Sequence, residues 1–244
     1  MHIGEEMDVP EYEYMVGDMM VKYSEMEKDL GVCIDNKLSF ETHITEKVKL
    51  ANRMAGWVRR SFVYMDKEIF RLLYTALVRC HLEYCAVVWN PHLLKYIDML
   101  EEVQIRATKM VPELKNMTYE ERLKALNLPT LTYRRLRGDM ITVYKIMKGL
   151  YHKECCPKLT TLAERTGRTG RHPLQLYQER SNLDIRKFTF TQRVSSVWNT
   201  LPKHVVEAKN VNEFKTRIDK HWMNEEIKFS YREPLSSIRA TRKN

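Results

Sequence analysis

Glycine and proline are scarce in this chain, eight of each in 244 residues. That scarcity argues against a turn-rich sandwich or barrel, and against linkers or low-complexity tracts. No run approaches the roughly 20 apolar residues that a membrane span requires. The first residues, MHIGEEMDVPEYEYM, are acidic and carry no apolar core, which sets aside a secretory signal peptide. Five cysteines are an odd number for a disulfide framework, so the thiols read as reduced and the protein as intracellular, nuclear or cytoplasmic and not secreted.

What is present is charge and helical periodicity. Charged residues make up 30% of the chain and the net charge is +9. Residues 1–29 hold nine acids and two bases, so the body beyond them carries the whole basic excess. A basic body suits a polyanionic partner, and equally a solvated surface.

The sequence reads as mainly α. LGVCI, followed by Asp35-Asn36, predicts a short strand and a turn near the N-terminus. Phe40, Ile44, Val48, Ala51, Ala55, Val58 and Phe62 recur at three and four, predicting a helix over about 40–62 with Ser39 at its N-cap. Further helices are expected at about 67–89, after Asp66 and before Pro91, and at about 94–110. Thr118 and Glu121 form a capping box for a short helix ending near Asn127, and another helix covers about 132–148 and stops at Gly149. Periodicity fails over 151–187, which predicts a basic loop with a short strand or hairpin near 172–190. Short helices follow at about 190–200 and 211–222. The expected divisions are an acidic segment with strands (1–38), a helical domain (39–150), a basic loop with a helical C-terminal region (151–222) and a flexible tail (223–244).

LVRCHLEYCAVVWN places Cys80, His81 and Cys85 within six residues. On a helix Cys80 and His81 are about 100° apart and Cys80 and Cys85 about 140°, so the three cannot converge on a tetrahedral ion. Two adjoining apolar stripes, Phe70, Leu73, Leu77, Cys80, Tyr84, Val88 and Tyr74, Val78, His81, Cys85, predict instead a helix buried over much of its circumference. No metal and no cofactor is expected. A nucleophilic Cys–His pair lacks an orienting acid and a glycine-rich oxyanion turn.

The segment EKDLGVCIDNKLSFETHITEKVKLANRMAGWVRRSF resembles the stretch that follows the catalytic palm in reverse transcriptases of non-LTR retrotransposons, the jockey-like LINE type in particular. LVRCHLEYCAVVW, QIRATKMV, YEERLKALNLPTLTYRRLRGDMITVYKIMKG and FTQRVSSVWNTLPKHVV continue the resemblance in order, from about Glu27 to Trp222. Cys80 stands where that family usually has proline, which implies a straighter second helix. The resemblance implies a helical thumb-like bundle beyond the end of a palm. The palm's Y/F-x-D-D motif, whose aspartates hold catalytic metals, has no counterpart, since the chain contains no Asp-Asp dipeptide. It therefore implies nucleic-acid binding without polymerase activity, with RNA or an RNA–DNA duplex as partner, and a palm-containing chain as a second one. No membrane partner and no small-molecule substrate is expected.

Leu30, Gly31 and Val32 resemble a primer-grip strand, with Gly31 permitting close backbone approach. Lys49, Arg53 and Arg60 line the face of the first helix opposite its core, with Gly56 among them. Arg134 and Lys145, with Arg137 and Lys148 about 60° around, form a second candidate line. The loop adds Arg165, Arg168, Arg171, Arg180, Arg186 and Lys187, interleaved with Tyr177, Phe188 and Phe190. Trp57, Trp89, Trp198 and Trp222 read as core anchors. The alternatives are a helical protein-interaction module, with the acidic segment docking on the basic body, and the non-functional remnant of a decayed element.

Overall fold

The computed structural model describes residues 14–168 and 170–236. The fold is mainly α with two small antiparallel hairpins at the N-terminal end. Strands β1 (Met15–Val16) and β2 (Met19–Met20) pair across a turn in which Gly17 has φ 61°. Strands β3 (Met26–Asp29) and β4 (Val32–Asp35) pair in the register Asp29↔Val32 and Met26↔Asp35. Leu30 and Gly31, expected as the start of a strand, are instead the two turn residues, both left-handed at φ 44° and 82°. Two consecutive positive φ values give the hairpin turn whose twist matches its strands. Val32 and Cys33 are buried against helix α1 (Glu41–Ser61).

The entry to α1 differs from expectation. The N-cap residue is Phe40, in the left-handed region at φ 56°, and its side chain makes no cap. Asp35 supplies the missing acceptors: its carboxylate receives the N–H groups of Lys37, Ser39 and Phe40, the last at 2.7 Å. Ser39 is reduced to accepting from the Glu41 N–H. The core stripe of α1 is as its spacing predicts, with Ile44, Val48, Ala51, Ala55 and Val58 buried.

The single helix expected over 67–89 is broken. Asp66 caps α2 (Lys67–Leu73), a π-helical turn covers Tyr74–Arg79, α3 (Cys80–Glu83) follows, and after Tyr84 and the left-handed Cys85 the chain re-forms as α4 (Ala86–Trp89). The wider turn advances the buried stripe to Phe70, Tyr74, Val78 and Leu82. Cys80 and Tyr84 are consequently exposed and His81 half-buried, so those three are not core residues. The interruption at Tyr84 also satisfies two polar groups: its carbonyl accepts the buried Trp89 indole N–H at 2.7 Å, and its hydroxyl donates to Leu30 O at 2.8 Å, tying the hairpin tip to the helix.

Helix α5 (Leu94–Thr108) leads to α6 (Tyr119–Leu126), whose Thr118–Glu121 capping box forms as read. Helix α7 (Leu131–Met147) starts at the Thr130 cap and is shared by two apolar clusters. Leu131 closes a core built from β4 through α6, while Tyr133, Met140, Val143 and Tyr144 open a second core. The two clusters meet at the start of α7. In place of a strand or hairpin near 172–190 the structure has α8 (Leu162–Thr166), one bridge between Thr161 and Leu176, and α9 (Asp184–Lys187). Helices α10 (Phe190–Trp198), α11 (Lys203–Val206) and α12 (Val211–His221) complete the second core. The expected tail is packed through Ser236: Ile227 and Leu235 are buried, and Ile227 O accepts from the Thr130 hydroxyl at 2.6 Å. Residues 237–244 lie outside the described residues, as do the first thirteen of the acidic segment.

A buried polar network joins the two cores through α7. Glu101 accepts from Tyr119 Oη at 2.6 Å and from the Leu131 N–H at 3.1 Å. Gln104 bridges Tyr74 and Tyr119. One turn along α7, Arg135 donates to Asn90, which donates to Asp139, and Asp139 takes both Nε and Nη2 of Arg193. Arg193 also reaches Val87 O. Replacing Asp139 with Ala strands Arg193 in a buried site, and such a loss costs about 3–5 kcal/mol. Denaturant titration of Asp139→Ala is expected to show a fall in midpoint of that order; a change below about 1 kcal/mol would mean the pair holds nothing together.

Candidate nucleic-acid interface

Lys49, Arg53 and Arg60 are all exposed on α1, on the face opposite Ile44, Ala51 and Val58. At 100° per residue they lie within a sector of about 40°. Among the described residues none of the three forms an ion pair, so their charge is uncommitted. A Cβ on Gly56 would meet only the flexible end of Arg60, at 3.4 Å, so the glycine lowers the ridge between the cations. Trp57, expected in the core, is 49% exposed on the same face. The reason is positional: 57 falls off the 51-55-58 stripe, a signal already present in the spacing. Arg59 is also exposed, on the other side of the helix from Trp57. Phe62, Val63 and Tyr64 continue the exposed surface where the helix ends. The other three tryptophans are buried.

The two α7 arginines are spent elsewhere. Arg134 forks onto Glu83, which Arg79 also approaches at 3.6 Å. Arg137 grips Asp219 on α12 with Nε at 2.5 Å and Nη2 at 2.7 Å. Both are interhelical clamps, because a guanidinium fork matches a carboxylate in two parallel bonds. Lys145 lies over the Tyr151 ring at 5.5 Å and Lys148 over Tyr144 at 5.8 Å. Arg134 and Arg137 therefore drop out of the candidate line, while Lys145 and Lys148, among the described residues, form no ion pair.

In the loop, Arg165, Arg168, Arg171, Arg180, Arg186 and Lys187 are all exposed, and among the described residues none is ion-paired. Arg165 lies over Tyr177 at 5.7 Å and Lys187 over Phe188 at 5.4 Å. Phe188 stacks on His92, ring centroids 3.9 Å apart, and Phe190 carries Arg193 at 5.4 Å. Those two rings therefore dock the loop to the body, and Tyr177 is the loop aromatic left at the surface beside cations. Leu30 and Gly31 sit at a hairpin tip, with Leu30 82% exposed, and Val32 is buried beneath them. Lys47 approaches the Tyr84 ring under that tip at 5.7 Å.

Among the groups that burial displaces, Glu101 and His43 move in opposite directions. Desolvation pushes the Glu101 carboxyl up to about 7, against the lowering pull of Tyr119 and Arg135. Desolvation, helped by Lys47, lowers His43 to about 4; its Nδ1 accepts the Cys33 N–H, so it is held neutral.

No family model and no solved structure matches the chain. An uncharacterized protein of Caenorhabditis elegans is 27% identical over 127 residues, which are 51% of this chain and 64% of that protein. The chain thus spans somewhat under two thirds of that relative's length.

The two shifts make opposed contributions to stability. A carboxyl raised in the fold stabilises below its unfolded value and loses that contribution as pH climbs to about 7. A histidine lowered to about 4 stabilises above its unfolded value and loses that contribution as pH falls through about 6.5 to 4. Glu101→Gln is expected to remove the first slope and leave the second, so melting temperature followed from pH 4 to 7.5 should rise and then plateau. A profile unchanged by the substitution would remove Glu101 from the account.

Proposed function

We propose that this chain is a nucleic-acid-binding, thumb-like part of a retrotransposon RNA-directed DNA polymerase. It grips phosphates of an RNA–DNA or RNA duplex without reading bases. The observation that supports this best is the α1 ridge: Lys49, Arg53 and Arg60 exposed, uncommitted and gathered about a lowered Gly56, opposite a fully apolar stripe. Cations that satisfy no carboxylate of their own release counterions when they meet phosphate. The exposed loop arginines extend the same basic surface.

In this reading the chain contributes grip and not chemistry, since it has no Asp-Asp pair to hold two metals. A palm-containing partner would pack at the N-terminal end, where Met15, Val16, Met19 and Met20 are exposed on a two-stranded hairpin. A lone hairpin of that size is marginal in water, and apolar strand residues gain from a partner. The working compartment is the nucleus or cytoplasm. Among the described residues no helix is long and apolar enough to cross a membrane.

Fluorescence anisotropy against an RNA–DNA hybrid at several salt concentrations tests the grip. Affinity should fall steeply with log salt, and Lys49→Glu/Arg53→Glu/Arg60→Glu should weaken binding by at least about tenfold and flatten that slope by about three charges. Equal binding by the variant sinks the ridge as the site. Cooperative melting without binding would favour the protein-interaction alternative. Labelled dNTP incorporation on a primed RNA template should be absent from the purified chain, and EDTA-sensitive incorporation would overturn the non-catalytic reading.

A further inference from the structure

On the surface beside the second core lies an open cleft of about 910 Å³, away from the α1 ridge in sequence and built on different elements. One wall is the 151–160 segment, with Tyr151, Lys153 and Lys158. The other is α8 and the strand-like run that bears Tyr177. This run has no regular strand, yet it is held firmly. The Asn199 side-chain amide clamps Leu176 on both sides, accepting its N–H and donating to its carbonyl, each at 2.8 Å. The buried Trp198 indole donates to Leu174 O at 2.7 Å. Tyr177 N–H donates to Thr160 O at 2.9 Å, which joins the two walls. Tyr177 is therefore placed by buried anchors and not by a loose loop.

The electrostatics favour an anion. Lys153, Lys158 and Arg165 line the cleft and, among the described residues, form no ion pair. Two carboxylates share the lining, but Glu164 is engaged: it caps α8, accepting the Thr161 N–H at 2.8 Å. That capping holds Glu164 ionised, so Glu164 and Glu179 offset two of the three cations and the lining keeps a small positive excess. The rings add a second chemistry. Arg165 lies over Tyr177 and Lys145 over Tyr151, so aromatic faces and cations alternate along the opening. Guanidinium planes and tyrosine rings are surfaces on which unpaired bases stack, whereas paired bases keep their faces inside the duplex.

We infer that this cleft takes an unpaired nucleotide of a single strand, its base against Tyr177 or Tyr151 and its phosphates on Lys153, Lys158 and Arg165. The inference rests on the nucleic-acid reading above and gives the basic loop a task distinct from the α1 ridge. A strand leaving a duplex held on α1 would end in a second, single-strand subsite.

The probes are fluorescein-labelled oligouridylate and oligothymidylate of about ten nucleotides and a blunt RNA–DNA hybrid. Tyr151→Ala/Tyr177→Ala is expected to weaken single-strand binding about tenfold or more and to leave hybrid binding within about twofold. Lys153→Glu/Lys158→Glu alters exposed side chains only and should do the same, keeping the test open if the tyrosine variant does not fold. The α1 triple variant should lose the hybrid and keep the single strands. Photo-cross-linking of 4-thiouridine RNA, mapped by mass spectrometry, should label residues within 151–179. Equal uridylate and thymidylate affinities would assign a site indifferent to the 2′-hydroxyl; a preference for either identifies the strand it takes. Unchanged single-strand affinity in both variants, or cross-links confined to other segments, would overturn the inference while the hybrid result stands. Failure of the wild-type chain to bind any probe would sink the nucleic-acid reading itself.

Discussion

A polar or charged group taken out of water must meet hydrogen-bond partners, and in this protein that requirement fixes helix α7. Glu101, Arg135, Asp139 and Arg193 are buried or nearly so, and they come from α5, α7 and α10. Apolar stripes alone would let α7 rotate or slide by a turn at modest cost, since one buried leucine or tyrosine substitutes for another. The Arg193–Asp139 fork, the Asn90 bridge and the Glu101 contact to the first amide of α7 permit one register. Around that register the first core closes on Leu131 and the second opens on Tyr133. The C-terminal run then returns to Thr130, whose hydroxyl bonds it to Ile227.

The same principle sorts the cations. A guanidinium that finds a carboxylate within the fold becomes mortar, as with Arg134 on Glu83 and Arg137 on Asp219. One that finds none stays available to an outside anion, as on α1 and along the loop. The proposed interface is thus what remains of the basic excess after the fold has used what it needs. Both proposed subsites stand on rigid supports: the ridge on a long helix whose opposite face is buried, the Tyr177 platform on Asn199 and Trp198. Phosphate contacts held in fixed positions lose little entropy on binding.

Some of this was legible in order along the chain. The α1 stripe, the Thr118–Glu121 box, the Asp66 cap and the span of α7 follow from local spacing, because each depends on residues within one or two turns. The hairpin turn at Leu30-Gly31 reads in sequence as the start of the LGVCI strand, since an apolar run looks like strand until the partner strand shows where it must fold back. The π turn at Tyr74–Arg79 was invisible, for a widened turn leaves an apolar pattern that still fits two stripes. The packed run beyond Trp222 has no local signature, because its anchors meet distant partners, Ile227 with Thr130 97 positions away and Tyr231 with Asp98 133 away.

By itself the sequence determined the mainly helical class, the acidic start against a basic body, and the cationic face of α1, since period and charge are properties of neighbours in the chain. Only the tertiary structure decided that Arg134 and Arg137 are clamps, that Trp57 is outside, and that Tyr177 stands over a cleft. Each of those depends on a partner 17 to 82 positions distant, or on the lack of one. Long-range pairing is settled by which buried charges and indole N–H groups can be satisfied together, and that is decided when all the elements pack at once.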